Sequence, residues 1–162
     1  VSMRLNSLRT IWFLYTIGTG GKKEWENITM ASTIGGMVIN TAGVAIAHGM
    51  EHPASGLKDI VHGQGLAALT PIVIEASYKG NEEKFAKIAK IFGGESAADC
   101  ADKIRELLKS IDLECKLSDL GIAAEDISWM AENCMKVSAA SIANNPVVFT
   151  QEEIAEIYRK AM

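Results

Sequence analysis

Residues 40–65 read NTAGVAIAHGMEHPASGLKDIVHGQG, and this stretch holds every histidine of the chain: His48, His52 and His62. The three follow the spacing H-x3-H-x9-H. If the residues between His48 and His62 fold back, both imidazoles can point at one spot, as in a partial site for zinc or ferrous iron. The spacing equally allows histidines that serve only as caps or as satisfied polar residues.

The local sequence predicts two helices, separated by a loop, around these histidines. The first helix begins near Lys23 and ends by about Glu51, because Pro53 pushes the residue before it out of the α region. Residues 53–61 form the predicted loop. The next helix begins at or just after His62.

These boundaries give each histidine a different setting. His48 lies in the last turn of the first helix. His62 lies at the start of the second, where the helix N-terminus disfavours the imidazolium and keeps the ring neutral and able to bind a metal. His52 lies outside regular structure, where a titrating side chain can reach a substrate. Further along, Pro71 either kinks the second helix or starts a new one with Thr70 as its cap.

Helical periodicity recurs along the rest of the chain, whereas strand alternation does not. Apolar stripes and N-capping residues predict further helices. These begin near residue 4, after Asn81, after Ser96, at Glu125 or Asp126, and after Thr150. The sequence therefore predicts a single all-α domain of roughly seven or eight helices over residues 1–162.

Composition places the chain among ordinary globular proteins. Its 162 residues are 48% hydrophobic and 22% charged, which excludes wholesale disorder. Sixteen basic against 20 acidic residues give a net charge of −4. Because no segment concentrates the basic residues, we expect no nucleic-acid partner. Three cysteines without a CxxC pair indicate a reducing, cytoplasmic location rather than a disulfide scaffold.

Residues 27–50 contain no Asp, Glu, Lys or Arg and are long enough to span a bilayer. A membrane span would bury the polar side chains of Thr29, Thr33 and Asn40 in lipid. Small residues such as Gly35 instead allow close packing against other helices. We therefore predict a soluble helix that is buried on most sides, and no membrane partner.

The stretch that carries the histidines resembles the signature of the iron-containing, or group III, alcohol dehydrogenases, in their C-terminal helical domain. The similarity includes the His-Pro step at residues 52–53 and the His-Gly-x-Gly ending at residues 62–65. Residues 30–36, the Asn-Pro step at residues 145–146 and the final capped helix also look similar to that family. The resemblance covers essentially the whole chain and implies the same all-α fold.

The resemblance implies a role for each histidine. His48 and His62 match two of the family's metal ligands, with Fe2+ as the expected metal and Zn2+ as the alternative. His52 matches a non-ligand histidine that faces the nicotinamide and the substrate, so we predict that it is both catalytic and cofactor-binding. In the family the metal polarises the oxygen of a small alcohol. Hydride then passes to NAD or NADP, and the alcohol becomes an aldehyde or ketone.

The resemblance also implies what this chain lacks. The remaining ligands, an Asp and a His, lie upstream in the family, as does the glycine-rich nucleotide-binding domain, and neither has a counterpart here. Glu51 and Asp59 are the nearest carboxylates, but the first flanks the predicted helix end and the second lies in the predicted loop. We therefore expect the chain to need the missing N-terminal domain as its partner and to be inactive alone. We also expect it to form a homo-oligomer through its exposed surface.

Two other interpretations stay open. The chain could be a non-catalytic helical interaction module whose histidines are structural, which diverging imidazoles and a large exposed apolar patch would favour. It could also be a related polyol dehydrogenase, because the glycerol dehydrogenase and dehydroquinate synthase groups share the architecture and act on different substrates. Those groups differ around the histidines.

Overall fold

The computed structural model describes residues 20–162, and every regular element in that range is helical. The α-helices are α1 (Lys22–Ala42), α2 (Ile46–Lys58), α3 (His62–Ser77), α4 (Glu82–Ile91), α5 (Cys100–Ser110), α6 (Asp126–Val137), α7 (Ala139–Ala143) and α8 (Gln151–Lys160). Short 3-10 helices occupy Tyr78–Asn81, Ala97–Asp99 and Ser118–Leu120. The predicted all-α fold is confirmed for these residues. The helix predicted from residue 4 lies outside them.

Local capping explains why several helices begin where the sequence predicts. The side chain of Asn81 accepts a hydrogen bond from the third backbone N–H after it, at 3.1 Å. The backbone N–H of Ser96 donates to Asp99 at 2.8 Å, and that of Thr150 donates to Glu153 at 2.8 Å. Each bond satisfies a backbone group that the first turn of a helix otherwise leaves unpaired. These starts are fixed by residues three positions apart, and α6 also begins at its predicted place.

Two apolar clusters hold the helices together. The larger lies between α2, α3, α6 and α8 and includes the fully buried side chains of Ile46, Met50, Leu69, Met130 and Tyr158. The smaller joins α3 to α4 and α5. Because removal of apolar surface from water drives this packing, the two helices that carry the histidines are anchored in the larger cluster.

Pro53 does not end the first of those helices. The prediction of a loop over residues 53–61 is wrong for its first part, because α2 runs through Pro53 and ends at Lys58. A proline inside a helix leaves the carbonyl four residues earlier without its usual N–H partner. That carbonyl belongs to Gly49, and the hydroxyl of Ser138 donates to it at 3.2 Å. The replacement donor lets the helix continue.

Pro71 likewise lies within a continuous helix. The alternative in which Pro71 starts a new helix is wrong, because α3 runs unbroken from His62 to Ser77. Thr70 is not a cap: its hydroxyl donates to the carbonyl of Leu66, one turn earlier in the same helix, at 2.6 Å.

The uncharged stretch over residues 27–50 is not one helix, as predicted, but the end of α1 and the start of α2. The two helices are bent by 101° at their junction. Gly43 lies there with a φ of 73°, in the left-handed region that favours glycine. The amide of Asn144 donates to the carbonyl of Ala42 at 3.0 Å beside this turn. Residues about 100 positions apart therefore fix the junction.

The expectation that residues 27–50 are buried on most sides is wrong for α1. None of its residues is buried, and the side chains of Met30, Ile34, Met37 and Val38 are 52–65% exposed. Among residues 20–162, no single helix is both long and apolar enough to cross a membrane, although α1 and α2 taken together meet the criterion of length and composition. The apolar residues of α1 form a surface, here called the α1 surface, that the rest of the described chain does not cover.

Candidate metal centre

The hairpin of α2 and α3 brings the three histidines together. His48 lies in the first turn of α2, and His52 lies one turn further along the same helix. His62 is the first residue of α3, which follows α2 after a short connection. The connection begins at Asp59, whose left-handed backbone (φ 53°) ends α2 and turns the chain. Residues four apart share one helix face, so the return of the chain places His62 beside both other rings.

The three rings lie in mutual contact range. The ring centres of His48 and His62 are 5.3 Å apart, and those of His52 and His62 are 5.8 Å apart. The ring centres of His48 and His52 are separated by 6.3 Å. The three imidazoles therefore cluster, in contrast to the diverging rings expected for an interaction module.

Two of the predicted local settings need correction. His48 was expected in the last turn of a helix but lies in the first turn of α2, because the chain breaks at Gly43. His52 was expected outside regular structure but lies inside α2, because the helix continues through Pro53. Its side chain is exposed all the same, so it remains accessible. His62 lies at the helix start that was predicted for it.

The centre contains a residue that the sequence analysis did not select. Glu51 is fully buried, although carboxylates are seldom buried unless paired. One of its oxygens, Oε2, pairs with Nδ1 of His62, and the other, Oε1, accepts a hydrogen bond from the hydroxyl of Ser55. The sequence signal that could have identified Glu51 is its position directly before His52. It was missed because the helix was predicted to end at Glu51.

The donor atoms are suitable for part of a metal centre. Within the described residues, one group of potential ligand atoms lies within 4.8 Å of one another, and it comprises Glu51, His52 and His62. His48, one of the two predicted ligands, lies beside His62 but is not part of that group, whereas His52, predicted not to bind the metal, is part of it. Imidazole nitrogens suit both iron and zinc, and a ligating imidazole commonly has its second nitrogen on a carboxylate. The residues present therefore fit the metal that the family uses.

Electrostatics favour a neutral ring at His48. Its pKa lies below the ordinary value, first because the ring is partly buried and then because His62 and His52 would repel a positive charge there. The carboxylate of Glu51 opposes this shift. Because a metal ligand must be unprotonated, these causes make the ring available as a donor.

The backbone between the two histidines of α2 is held by hydroxyl groups from distant helices. The hydroxyl of Tyr158 in α8 donates to the carbonyl of Met50 at 2.5 Å, and the hydroxyl of Ser138 donates to that of Gly49. Burial raises the pKa of Tyr158 well above its usual range, so this donor keeps its proton. Tyr158 of α8 and Ser138 at the junction of α6 and α7 thus fix the turn of α2 from which His48 and His52 project.

This chain belongs to the iron-containing alcohol dehydrogenase family: residues 12–162 match the C-terminal part of that family. Among its relatives is the 1,3-propanediol dehydrogenase of Klebsiella pneumoniae, which is 38% identical over 144 residues, or 84% of this chain. The crystal structure of an archaeal alcohol dehydrogenase from a Red Sea brine pool matches 99% of the chain with a TM-score of 0.84 and 30% identity. The NADH-dependent butanol dehydrogenase A of Thermotoga maritima matches 72% of the chain with a TM-score of 0.62 and 30% identity.

The chain corresponds to only part of each of these proteins. It spans 37% of the length of the Klebsiella dehydrogenase. It spans 44% of the archaeal chain and 32% of the Thermotoga chain. All three relatives are dehydrogenases of alcohols by name, and the matched portions of the archaeal and Thermotoga structures share this helical fold.

Proposed function

We propose that this chain is the helical, metal-binding portion of an NAD(P)-dependent alcohol dehydrogenase that interconverts a small alcohol and an aldehyde or ketone. The observation that carries the proposal is the convergence of three imidazoles, with ring centres 5.3–6.3 Å apart, at the α2–α3 hairpin. Membership of the family supports the reaction class. The NADH dependence stated for the Thermotoga relative supports the nicotinamide.

Each histidine has a proposed role. His48 and His62 bind the metal, Fe2+ or Zn2+, which when bound polarises the oxygen of the alcohol as a Lewis acid. His52 is the proposed catalytic and cofactor-contacting residue. Its ring is exposed beside the other two, and an imidazole exchanges protons near neutral pH. A ring nitrogen of His52 would carry the hydroxyl proton from the alcohol towards solvent.

The remaining requirements would be met outside this chain. Two imidazoles are fewer ligands than a catalytic metal usually takes, and residues 1–162 are proposed to form one helical metal-site domain. An N-terminal domain would supply the other ligands and most contacts to NAD or NADP, which agrees with the 37% coverage of the Klebsiella relative. The chain alone would then be inactive. The three free cysteines agree with a cytoplasmic location, and the α1 surface with a homo-oligomer.

One observation favours a second candidate function, a non-catalytic interaction module. The α1 surface is an exposed apolar helix face of the kind that marks interaction sites. However, a chain that covers under half of its relatives is expected to expose such a surface wherever the absent portion packs. The converging imidazoles have no explanation in an interaction module, so the dehydrogenase proposal accounts for more of the structure.

A chimera tests the proposal. The N-terminal portion of the Klebsiella 1,3-propanediol dehydrogenase would be joined to this chain and loaded with Fe2+ without oxygen. We expect metal-dependent formation of NADH or NADPH from 1,3-propanediol in the chimera, and none from the chain alone. His48→Ala should abolish both metal binding and activity, whereas His52→Ala should keep the metal and lower kcat by about 10²–10⁴-fold.

Two controls keep the result interpretable. Lys87→Ala, on the exposed face of α4, should change neither metal content nor rate. Metal content and circular dichroism should be measured on every variant, so that loss of folding is separated from loss of chemistry. A folded, metal-loaded chimera without activity would contradict the proposal, as would metal binding that survives replacement of both His48 and His62.

A further inference from the structure

Glu51 is the most constrained charged group at the candidate metal centre. It is fully buried, and an unpaired buried carboxylate would be strongly unfavourable. Its two oxygens have separate partners, since Oε2 meets Nδ1 of His62 and Oε1 accepts from the hydroxyl of Ser55. The same hydroxyl lies 3.2 Å from the carbonyl of Ile60, in the connection that leads to His62.

The backbone of α3 also leaves room for this carboxylate. A Cβ at Gly65 would lie 2.8 Å from both Cγ and Oε1 of Glu51. Nonbonded heavy atoms do not approach a Cβ this closely without a steric clash. Glycine at this position therefore lets the first turn of α3 close over the carboxylate. Glu51 is enclosed by Ser55 on its own helix and by His62 and Gly65 on the next.

We propose that Glu51 is the positioning residue that orients His62, by accepting a hydrogen bond from Nδ1–H so that Nε2 is the unprotonated atom presented to the metal. The inference rests on the proposed function insofar as it concerns the metal. A neutral imidazole carries one proton, and the nitrogen that carries it is set by the partner of that nitrogen. A carboxylate accepts only, so it selects the Nδ1–H form and leaves Nε2 as the donor atom.

In this arrangement Glu51 is not itself a metal ligand. Although its oxygens lie within 4.8 Å of donor atoms on His52 and His62, both already have hydrogen-bond partners and no part of the residue is exposed. A carboxylate behind a ligating histidine holds the ring orientation and raises its basicity, and loss of such a partner typically costs about 10–100-fold in metal affinity.

The first measurement needs no substitution. In the 15N-labelled chain without metal, long-range 15N–1H spectra recorded over a range of pH report which ring nitrogen of His62 carries the proton in the neutral form. We expect Nδ1–H at His62. A predominant Nε2–H form, the usual preference of free imidazole in solution, would overturn the inference directly.

Substitutions then test the metal. Co2+ serves as a spectroscopic probe in titrations of the chain. Glu51→Ala should weaken Co2+ binding by about 10–100-fold and return His62 towards the Nε2–H form. Glu51→Gln, whose amide oxygen can still accept a hydrogen bond from Nδ1–H, should restore much of the Nδ1–H form. The control Glu83→Ala, on exposed α4, should leave both readouts unchanged.

The outcomes of the two arms are distinguishable. A folded Glu51→Ala chain that keeps Nδ1–H at His62 and binds Co2+ as tightly as the unsubstituted chain would refute the positioning role and leave the proposed function intact. An Nδ1–H tautomer that depends on Glu51, in a chain that binds no Co2+, would support the positioning role. The same Co2+ titration of the chimera then decides the metal part, and a folded chimera that binds no Co2+ would count against the proposed function. If Glu51→Ala does not fold, the tautomer in the unsubstituted chain and in Glu51→Gln still decides the question.

Discussion

Replacement of Ser138 by alanine tests how the chain tolerates a proline inside the helix that carries two of its histidines. The Ser138 hydroxyl is buried and donates to the carbonyl of Gly49 at 3.2 Å. That carbonyl lies four residues before Pro53, which has no N–H to offer it. Ser138→Ala therefore leaves a buried carbonyl without a donor in the middle of α2.

The magnitude follows from the geometry. Removal of one partner from a buried hydrogen bond costs about 1–3 kcal/mol, because the other partner stays desolvated. The 3.2 Å separation is longer than the roughly 2.5–3.0 Å usual for a hydroxyl donor, so we expect a loss in the lower part of that range, about 1–2 kcal/mol in the free energy of unfolding. With a urea dependence of about 2 kcal/mol per M, the unfolding midpoint should fall by about 0.5–1 M.

A double-mutant cycle gives the sharper test. Pro53→Ala restores a backbone N–H that can bond to the carbonyl of Gly49, so Ser138→Ala should cost much less in that background. Urea unfolding followed by circular dichroism measures all four proteins. Ser128→Ala, an exposed serine of α6, should change stability by no more than about 0.5 kcal/mol. Equal costs of Ser138→Ala with and without Pro53 would refute the reasoning, even if the variant is destabilised.

Two further predictions concern stability. Thr150→Ala removes the capping box of α8, so the free energy of unfolding in urea should fall by about 1 kcal/mol, and an unchanged midpoint would show that the cap contributes nothing. Burial raises the pKa of the Cys134 thiol from 9.0 to about 11. Because the unfolded chain then loses this proton first, the free energy of unfolding should fall as pH rises from about 9 to about 11, with no contribution from this thiol below that window. Cys134→Ala should show a shallower fall over the same pH range, and an identical fall would contradict the assignment.

The sequence predicted the parts of the fold that depend on near neighbours. The starts of α4 and α8 were predicted correctly because the caps at Asn81 and Thr150 bond to backbone groups three residues away. The end of the first helix at Glu51 was predicted wrongly, because the group that compensates for Pro53 is separated from its partner by 89 positions. No local pattern in the sequence identifies Ser138 as that partner, because only the packing of α6 on α2 determines which serine lies beside the carbonyl of Gly49.

The α1 surface was also beyond local sequence reasoning. Residues 27–50 have the composition of a buried helix, yet the described chain leaves Met30 and Met37 more than 60% exposed. The composition of residues 27–50 indicates that the α1 surface is apolar, but it does not indicate what packs against that surface.

At the candidate metal centre, the sequence predicted convergence of His48 and His62 from an incorrect local structure. Their proximity required only that the chain reverse direction between them. The reversal begins at Asp59 and is shorter than the predicted loop over residues 53–61. The extra turn of helix has consequences for the chemistry. Had α2 ended at Glu51, neither Ser55 nor the first turn of α3 would enclose that carboxylate as they do.

Pro53, Ser138 and the surroundings of His62 are therefore structurally linked. Continuation of α2 through Pro53 keeps His52 on the same face as His48, and places Ser55 one turn after Glu51, where its hydroxyl reaches the carboxylate. That continuation depends on a donor for the carbonyl of Gly49, which the core supplies through Ser138. Geometry at the candidate metal centre is thus coupled to a hydrogen bond inside the core. A substitution at Ser138 should accordingly alter the tautomer of His62 as well as the stability of the fold, although the serine bonds to neither ring.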